Sequence, residues 1–247
     1  MKGINEQPYV DASAFIDMET ISSLEKEICY GIARSNVQAG IYGPGIKNVE
    51  QYGNFLGLSA KYAKISIPSE ERSVYESLNR NQRALFFKLY EELYSASTVV
   101  YLRTFTELGI NSYTDKGKAS KTKFTDNAQF FPKTLEWISK LPFKEVGRVL
   151  FFIHEHDCKL LTHRDGTQYT PHSNEFLWIN PCGNKNFFIY DEENDVEHTV
   201  NSKAAFFNDL DMHGGNPNNK MTWSLRVDGI FTDEFRKQLG IDQLTSY

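Results

Sequence analysis

The chain has 247 residues, a formal net charge of −5 and a pI near 5.7. It is long enough for one large domain, and its 40% hydrophobic residues can fill a sizeable core. The acidic balance argues against a general binder of nucleic-acid phosphates, and no apolar run is long enough for a membrane span or a signal peptide. The three cysteines show no paired spacing, so neither a zinc knuckle nor a disulfide framework is indicated, and we expect a cytoplasmic protein.

The first third of the sequence is predicted to be helical. Residues 22–25 have the form of a capping box, and Ile28 and Ile32 follow at helical spacing. A second helical region is expected over 68–95. Between the two, the glycine-rich segment 40–54 lacks the Gly-Lys-Ser/Thr of a phosphate-binding loop and is predicted to be a turn or the edge of a lid.

The middle of the chain carries weaker signals. Residues 99–105 are compatible with a strand or with a helix end. Residues 111–127 are polar, with four lysines between 116 and 123, and predict a solvated loop or, alternatively, a mobile flap over a site. A short helix is predicted over 133–140 because Leu141-Pro142 follows it.

The second half of the chain is predicted to consist of short strands separated by Gly, Asn, Pro and Asp. The strands are expected at 146–153, 159–163, 175–180, 186–191, 196–200, 204–207 and 222–231. Many short strands with close turns favour a jelly-roll or a similar antiparallel barrel. We therefore predict an α+β protein in which a helical region with flap loops, residues 1–130, packs on a barrel formed by residues 131–247, all in one compact domain.

Polar residues with metal-binding chemistry stand at the ends of these strands. His163 and Asp165 are two positions apart, so both side chains can point to one side of a strand end. His213 follows the aromatic run 204–207, and Arg226 lies in the last strand with Ser224 on the same face. Two imidazoles and one carboxylate leave neighbouring metal positions open, as in non-haem Fe(II) oxygenases, and a buried Arg can bind a carboxylate through two hydrogen bonds.

The order His-x-Asp, a second His about fifty residues later and then an Arg in a strand resembles the Fe(II)/2-oxoglutarate-dependent oxygenase superfamily, over about residues 130–231. The resemblance implies a double-stranded β-helix (jelly-roll) core with N-terminal helices packed on it. It assigns His163, Asp165 and His213 to Fe(II), and Arg226 with Ser224 to the far carboxylate of 2-oxoglutarate, with no catalytic residue beyond the metal ligands. Within this region, Phe131-Pro-Lys-Thr-Leu, Leu141-Pro-Phe and Gly147-Arg-Val are similar to the aspartyl/asparaginyl and proline hydroxylase branch.

The resemblance also implies an activity. We expect O2 and 2-oxoglutarate to be consumed, ascorbate to act as a stimulating reductant, and a small polar substrate, an amino acid free or in a peptide, to be hydroxylated. Asp165 stands where halogenating members have a small residue, which favours hydroxylation or desaturation. Three segments, 40–54, 111–127 and 166–174, are candidates for a lid, and 166–174 is the one expected to contact substrate. The oligomeric state is open.

Several alternatives stay open at this stage. His154 and His156 begin like a cupin metal site, but no Glu follows at the required position, so a polar turn is favoured. Arg226 is also placed to pair with Asp228, and Arg148 is a second candidate for a carboxylate clamp or a salt bridge.

Two other functions are alternatives to this activity. The nucleobase demethylase branch requires a second Arg where Thr232 stands, which argues against it. The non-enzymatic alternative is a metal-stabilised β-barrel used for binding or assembly.

Overall fold

Two antiparallel sheets form the centre of the computed structural model, which describes residues 1–35, 38–39, 77, 79, 97–106, 115–154, 160–165 and 174–241. The larger sheet has the order β1-β10-β7-β12-β5-β3-β2, with β4 paired to β3, and the smaller sheet has the order β6-β11-β8-β9. The strands are β1 Tyr9–Asp11, β2 Gln38–Ala39, β3 Ser97–Phe105, β4 Thr122–Phe124, β5 Phe143–His154, β6 Leu160–His163, β7 Phe176–Ile179, β8 Phe187–Asp191, β9 Val196–Thr199, β10 Ala204–Phe207, β11 Met212–Gly215 and β12 Thr222–Phe231.

From β5 onward the chain changes sheet at almost every connection. Strands β5, β7, β10 and β12 belong to the larger sheet, and β6, β8, β9 and β11 belong to the smaller one. Aromatic side chains join the two sheets: the Trp178 and Phe187 rings stack with centroids 5.0 Å apart, and Phe187 lies 5.3 Å from Phe207. This arrangement is the jelly-roll-like core that the spacing of the strands predicts.

Alternation along the strands separates the two faces of the larger sheet. On one face, Phe151 of β5 stacks on Phe131 at 5.2 Å, and the helices cover it. The other face turns toward the smaller sheet: Trp178 and Phe207 pack against Phe187, and Val99, Tyr101 and Leu150 form a small separate cluster with Phe152 against it. The polar residues of β12, Ser224, Arg226 and Asp228, share one face of the strand, so the candidate site lies between the sheets.

The helices are α1 Met18–Ser23, α2 Glu25–Arg34, α3 Pro132–Ile138 and α4 Asp233–Gln238, with short 3-10 turns at Ser13–Phe15, Ala119–Lys121 and Asp126–Phe130. Asp17 caps α1 by accepting from the backbone N–H of Thr20 at 2.9 Å, so the predicted capping box at 22–25 is wrong. Glu27 of α2 accepts from the backbone and the hydroxyl of Thr134, both at 2.8 Å, and thereby ties α2 to α3. No helix in the described ranges is long and apolar enough to cross a membrane.

Most predicted strands lie within three residues of the observed ones, and 99–105 is a strand. The short strand β11, which carries His213, was not predicted. The described part of the predicted polar loop, from 115 to 127, contains β4 and the buried Lys116, and is therefore not a solvated loop. Hydrogen bonds cross the predicted boundary between 130 and 131, since β1 pairs with β10 and β3 pairs with β5. The predicted segments 40–54 and 166–173 and almost all of 68–95 lie outside the described residues.

Candidate metal centre

Three ligand-type side chains meet where the ends of β6 and β11 face each other. His163 ends β6, and the sheet register places its Cα opposite that of His213 in β11. Asp165 follows β6, and its backbone N–H donates to the carbonyl oxygen of Asp209 at 2.9 Å. One ligand atom from each of the three residues lies within 4.8 Å of the other two. The structure therefore brings together the three residues that the sequence predicts as metal ligands.

The distances between these atoms are compatible with a single metal ion. The Oδ1 atom of Asp165 is 3.8 Å from Nε2 of His163 and 3.7 Å from Nε2 of His213. Neighbouring ligands that are each about 2.1 Å from a metal are about 3 Å apart, so Oδ1 of Asp165 needs to approach each imidazole nitrogen by less than about 1 Å. Nitrogen and oxygen donors of this kind suit a divalent first-row metal, so the residues fit the ion that they are predicted to bind.

His213 is held in the protonation form that a metal requires. Its Nδ1 lies 2.9 Å from the backbone carbonyl oxygen of Asp211, and a carbonyl only accepts, so Nδ1 carries the proton. The lone pair of Nε2 is then directed to the site. The ring is buried, with Phe187 and Phe207 centroids 5.7 Å and 5.5 Å away, whereas the Asp165 side chain is 23% exposed. The site consequently has a packed inner wall and an open side.

The second oxygen of Asp165 is bound by cations. Oδ2 accepts from Nη1 of Arg226 at 2.5 Å, and Nζ of Lys116 lies 3.6 Å away. Burial raises the pKa of Asp165, but the charges of Arg226 and Lys116 and the contact with His213 outweigh this effect and hold the pKa well below its usual range. The surroundings of Asp165 therefore favour its ionised form.

Asp209 and Asp228 complete a buried ionic cluster. Oδ2 of Asp209 accepts from Lys116 Nζ and from Arg226 Nη2, both at 2.7 Å. Asp228 accepts from Arg226 Nε at 2.8 Å and from Arg148 Nε at 2.7 Å. The pair of Arg226 with Asp228, which the sequence offers as an alternative role for Arg226, is therefore present. Among the described residues the cluster is balanced, with Lys116, Arg148 and Arg226 against Asp165, Asp209 and Asp228.

A further cation, Lys185, lies between the sheets and bonds no carboxylate of the described residues. Its Nζ donates to the hydroxyl of Ser224 at 2.8 Å and lies 5.7 Å from the centroid of the Phe152 ring. Burial lowers the pKa of Lys185 to about 7, and no charged group of the described residues offsets this effect. A buried ammonium whose contacts in the described part of the chain are a hydroxyl and a ring is costly, so its position suggests an anionic ligand.

The predicted co-substrate residues are both inside the molecule, but each has other partners. All three nitrogens of the Arg226 guanidinium donate to carboxylates, and Ser224 accepts from Lys185. Sequence reasoning missed Lys116, Asp209 and Lys185. Asp209 stands four residues before His213, but Asn208 and Asp211 lie beside it, so the sequence does not distinguish it. Lys116 and Lys185 occur in polar segments that give no signal either.

No protein-family model matches this chain, and no curated protein matches it. Similar solved structures include a Pseudomonas putida prolyl-4-hydroxylase, at 9% identity and TM-score 0.31 over 87% of this chain and 98% of that chain. An oxidoreductase of the 2OG-Fe(II) oxygenase family from Burkholderia pseudomallei matches at 8% identity and TM-score 0.35, over 76% and 92% of the two chains. A viral collagen prolyl hydroxylase from Paramecium Bursaria Chlorella virus-1 matches at 12% identity and TM-score 0.25, over 52% of this chain and 94% of that chain. Likeness at this level assigns neither family nor function.

Proposed function

We propose that this protein is an Fe(II)- and 2-oxoglutarate-dependent oxygenase whose two facing sheets form a double-stranded β-helix. The observation that carries the proposal is the meeting of His163, Asp165 and His213 around one point, with the His213 tautomer fixed for metal binding. The alternation of β5 to β12 between two sheets supports the fold assignment.

The donor set favours Fe(II) over the common structural metals. A structural zinc ion is usually enclosed by four protein ligands, whereas two His and one Asp leave positions open for exogenous ligands. Bound Fe(II) would supply O2 activation coupled to the oxidative decarboxylation of 2-oxoglutarate to succinate. The chain itself holds the ligands, excludes water on the side of Phe187 and Phe207, and binds the co-substrate.

The charge of the site supports a dianionic co-substrate. The six-member ionic cluster is neutral, so a divalent metal adds two positive charges that no described side chain offsets. Lys185 adds a third positive charge when it is protonated. A dicarboxylate such as 2-oxoglutarate neutralises most of this excess in a place where unpaired charge is costly.

We assign the far carboxylate of 2-oxoglutarate to Lys185 together with Ser224. Ser224 and Arg226 lie on the same face of β12, about 7 Å apart along the strand, which is the scale of a five-carbon diacid. Lys185 is buried, has no carboxylate partner in the described part of the chain, and already contacts the Ser224 hydroxyl. The alternative anchor is Arg226, as the sequence resemblance implies.

The substrate class is proposed from the sequence resemblance alone. It is a small polar molecule, an amino acid free or in a peptide, and the expected reaction is hydroxylation. The segment 166–174, which follows the metal ligand Asp165, is the proposed contact to substrate.

The activity is tested by succinate formation from 2-oxoglutarate in the presence of Fe(II), O2 and ascorbate, with a panel of amino acids and short peptides. We expect succinate to form, and to form faster with the correct substrate. A protein that binds the metal and 2-oxoglutarate but forms no succinate with any member of the panel would favour the binding barrel instead.

The metal site is tested by the metal content of His213→Ala, measured after anaerobic loading with Fe(II). A matched control is His198→Ala, because His198 lies in β9 of the same sheet and belongs to no ligand group of the described residues. We expect the first variant to lose most of its iron and the second to keep it. Equal iron in both variants would contradict the assignment of the ligands.

A further inference from the structure

Arg226 is the centre of the ionic cluster, and its geometry points to a role at the metal ligand. Its Nη1 donates to Asp165, Nη2 donates to Asp209, and Nε donates to Asp228. One face of the guanidinium is covered by the Phe176 ring, whose centroid is 3.8 Å from the guanidinium carbon. A guanidinium fixed in three directions and stacked on a ring presents Nη1 to Oδ2 of Asp165 in one orientation.

Lys116 reaches the same carboxylate oxygen from another part of the chain. Its position is set by close backbone contacts: a Cβ on Gly147 would lie 2.1 Å from the Lys116 carbonyl oxygen, and a Cβ on Gly117 would lie 2.9 Å from that of Gly229. The same Lys116 oxygen accepts from the backbone N–H of Arg148 at 2.7 Å. Glycines at both crossing points let residues 116 and 117 lie directly on β5 and β12, which brings the ammonium to Asp165.

We propose that Arg226 and Lys116 are positioning residues that hold Oδ2 of Asp165 away from the metal, so that Asp165 offers the metal only Oδ1. The inference rests on the metal site of the proposed function. The geometry agrees with it, because Oδ1 is the oxygen that faces both imidazoles while Oδ2 faces both cations.

The consequence concerns the number of open metal positions. A carboxylate that binds through both oxygens occupies two of the six positions of an octahedral ion, and one that binds through a single oxygen occupies one. With two imidazoles and one carboxylate oxygen, three positions stay open, which is enough for a chelating 2-oxo acid and O2. Release of Oδ2 would allow Asp165 to compete for one of them.

The test compares two 2-oxo acids that chelate a metal through the same group. Pyruvate lacks the far carboxylate of 2-oxoglutarate, so it reports the open positions without the anchor. We would load the full chain with Co(II), whose visible absorption reports coordination number, and titrate each acid anaerobically into wild type and Arg226→Gln. We expect Arg226→Gln to change the Co(II) spectrum and to weaken both acids by about 10–100-fold, the usual effect of removing a partner of a metal ligand.

Two control variants keep the result interpretable. Arg236→Gln removes a partly buried guanidinium that bonds Glu175 and Asp233, outside the ionic cluster, and it should leave the Co(II) spectrum and both affinities within about twofold of wild type. Arg226→Gln combined with Asp209→Asn removes one cation and one carboxylate together. Because this double variant keeps the charge balance of the cluster, it replaces the single variant if that one fails to fold. It should show the same loss of affinity for both acids.

The outcomes separate the clamp from the proposed function. Weaker 2-oxoglutarate with unchanged pyruvate and an unchanged Co(II) spectrum in both Arg226 variants would make Arg226 the anchor and overturn the clamp. Unchanged affinity for both acids would overturn it as well. A wild-type chain that binds no Co(II) at all would overturn the proposed metal site, and the clamp with it.

Discussion

Replacing Lys185 by methionine should make the protein more stable at neutral pH, although the residue lies in the proposed co-substrate site. Methionine has a similar length and fills the space beside Phe152 without a charge. The side chain of Lys185 is buried, and its ammonium has the Ser224 hydroxyl as its hydrogen-bond partner. The wild-type protein therefore carries the cost of a charge transferred from water into the interior.

The magnitude follows from the pKa of Lys185, which burial lowers from 10.5 to about 7. A pKa difference of about 3.5 corresponds to roughly 5 kcal/mol, at about 1.4 kcal/mol per unit, and this is an upper limit because water can reach a strained site. Below pH 7 both the folded and the unfolded chain are protonated, so the folded state bears the full cost. Between pH 7 and 10.5 the unfolded chain binds more protons, so the contribution of Lys185 becomes less unfavourable as the pH rises.

The assay is urea unfolding of the metal-free wild type and Lys185→Met at pH 6, 7.5 and 9. We expect the variant to be more stable by roughly 2–5 kcal/mol at pH 6, with a difference that shrinks toward pH 9. Added 2-oxoglutarate with metal should raise the stability of wild type more than that of the variant, because only wild type has the ammonium that binds the far carboxylate. If the variant is less stable than wild type at every pH, the buried ammonium of Lys185 does not destabilise the fold. The argument that it is present to bind a ligand would then be refuted.

Three further measurements test the site and its supports. The affinity of the metal-loaded wild type for 2-oxoglutarate should fall about tenfold per pH unit above pH 7, because Lys185 loses its proton. In Lys185→Arg the affinity should not change with pH over this range, because arginine stays protonated. The same pH dependence in both proteins would exclude Lys185 as the anchor. Gly147→Ala should cost about 1–3 kcal/mol in urea unfolding, since its Cβ would lie 2.1 Å from a backbone oxygen; a neutral effect would mean that residues 116 and 117 can move. Asp228→Asn should lower the free energy of unfolding by roughly 3–5 kcal/mol, because two buried guanidinium groups lose a shared anion. Asp233→Asn, at an exposed ion pair, should lower it by less than about 1 kcal/mol. Similar losses in the two variants would contradict the importance of burial.

The barrel strands could be predicted because their signal is local. Strand β12 alternates polar and apolar residues over its first seven positions, and β10 is a short apolar run between turn residues, so both were predicted at their observed bounds. Strand β11 was missed because Met212–Gly215 contains a His and two glycines and has little strand propensity of its own. It is a strand because it lies between β6 and β8 and completes their hydrogen bonds, a tertiary effect that no short window of sequence contains.

The proposed metal ligands could be predicted because the sequence itself contains their pattern. The residues that bond them could not, because only the fold brings them together. His163 and Asp165 are two residues apart, and the order in which His213 and Arg226 follow them resembles that of a known family. The partners of Asp165 come from residues 49 and 61 positions away in the chain, Lys116 and Arg226. The sequence shows that a buried Arg is present, but only the fold shows that three carboxylates already surround it. The assignment of a basic residue to a co-substrate therefore depends on which cation lacks a carboxylate partner, and among the cations described between the two sheets that residue is Lys185 rather than Arg226.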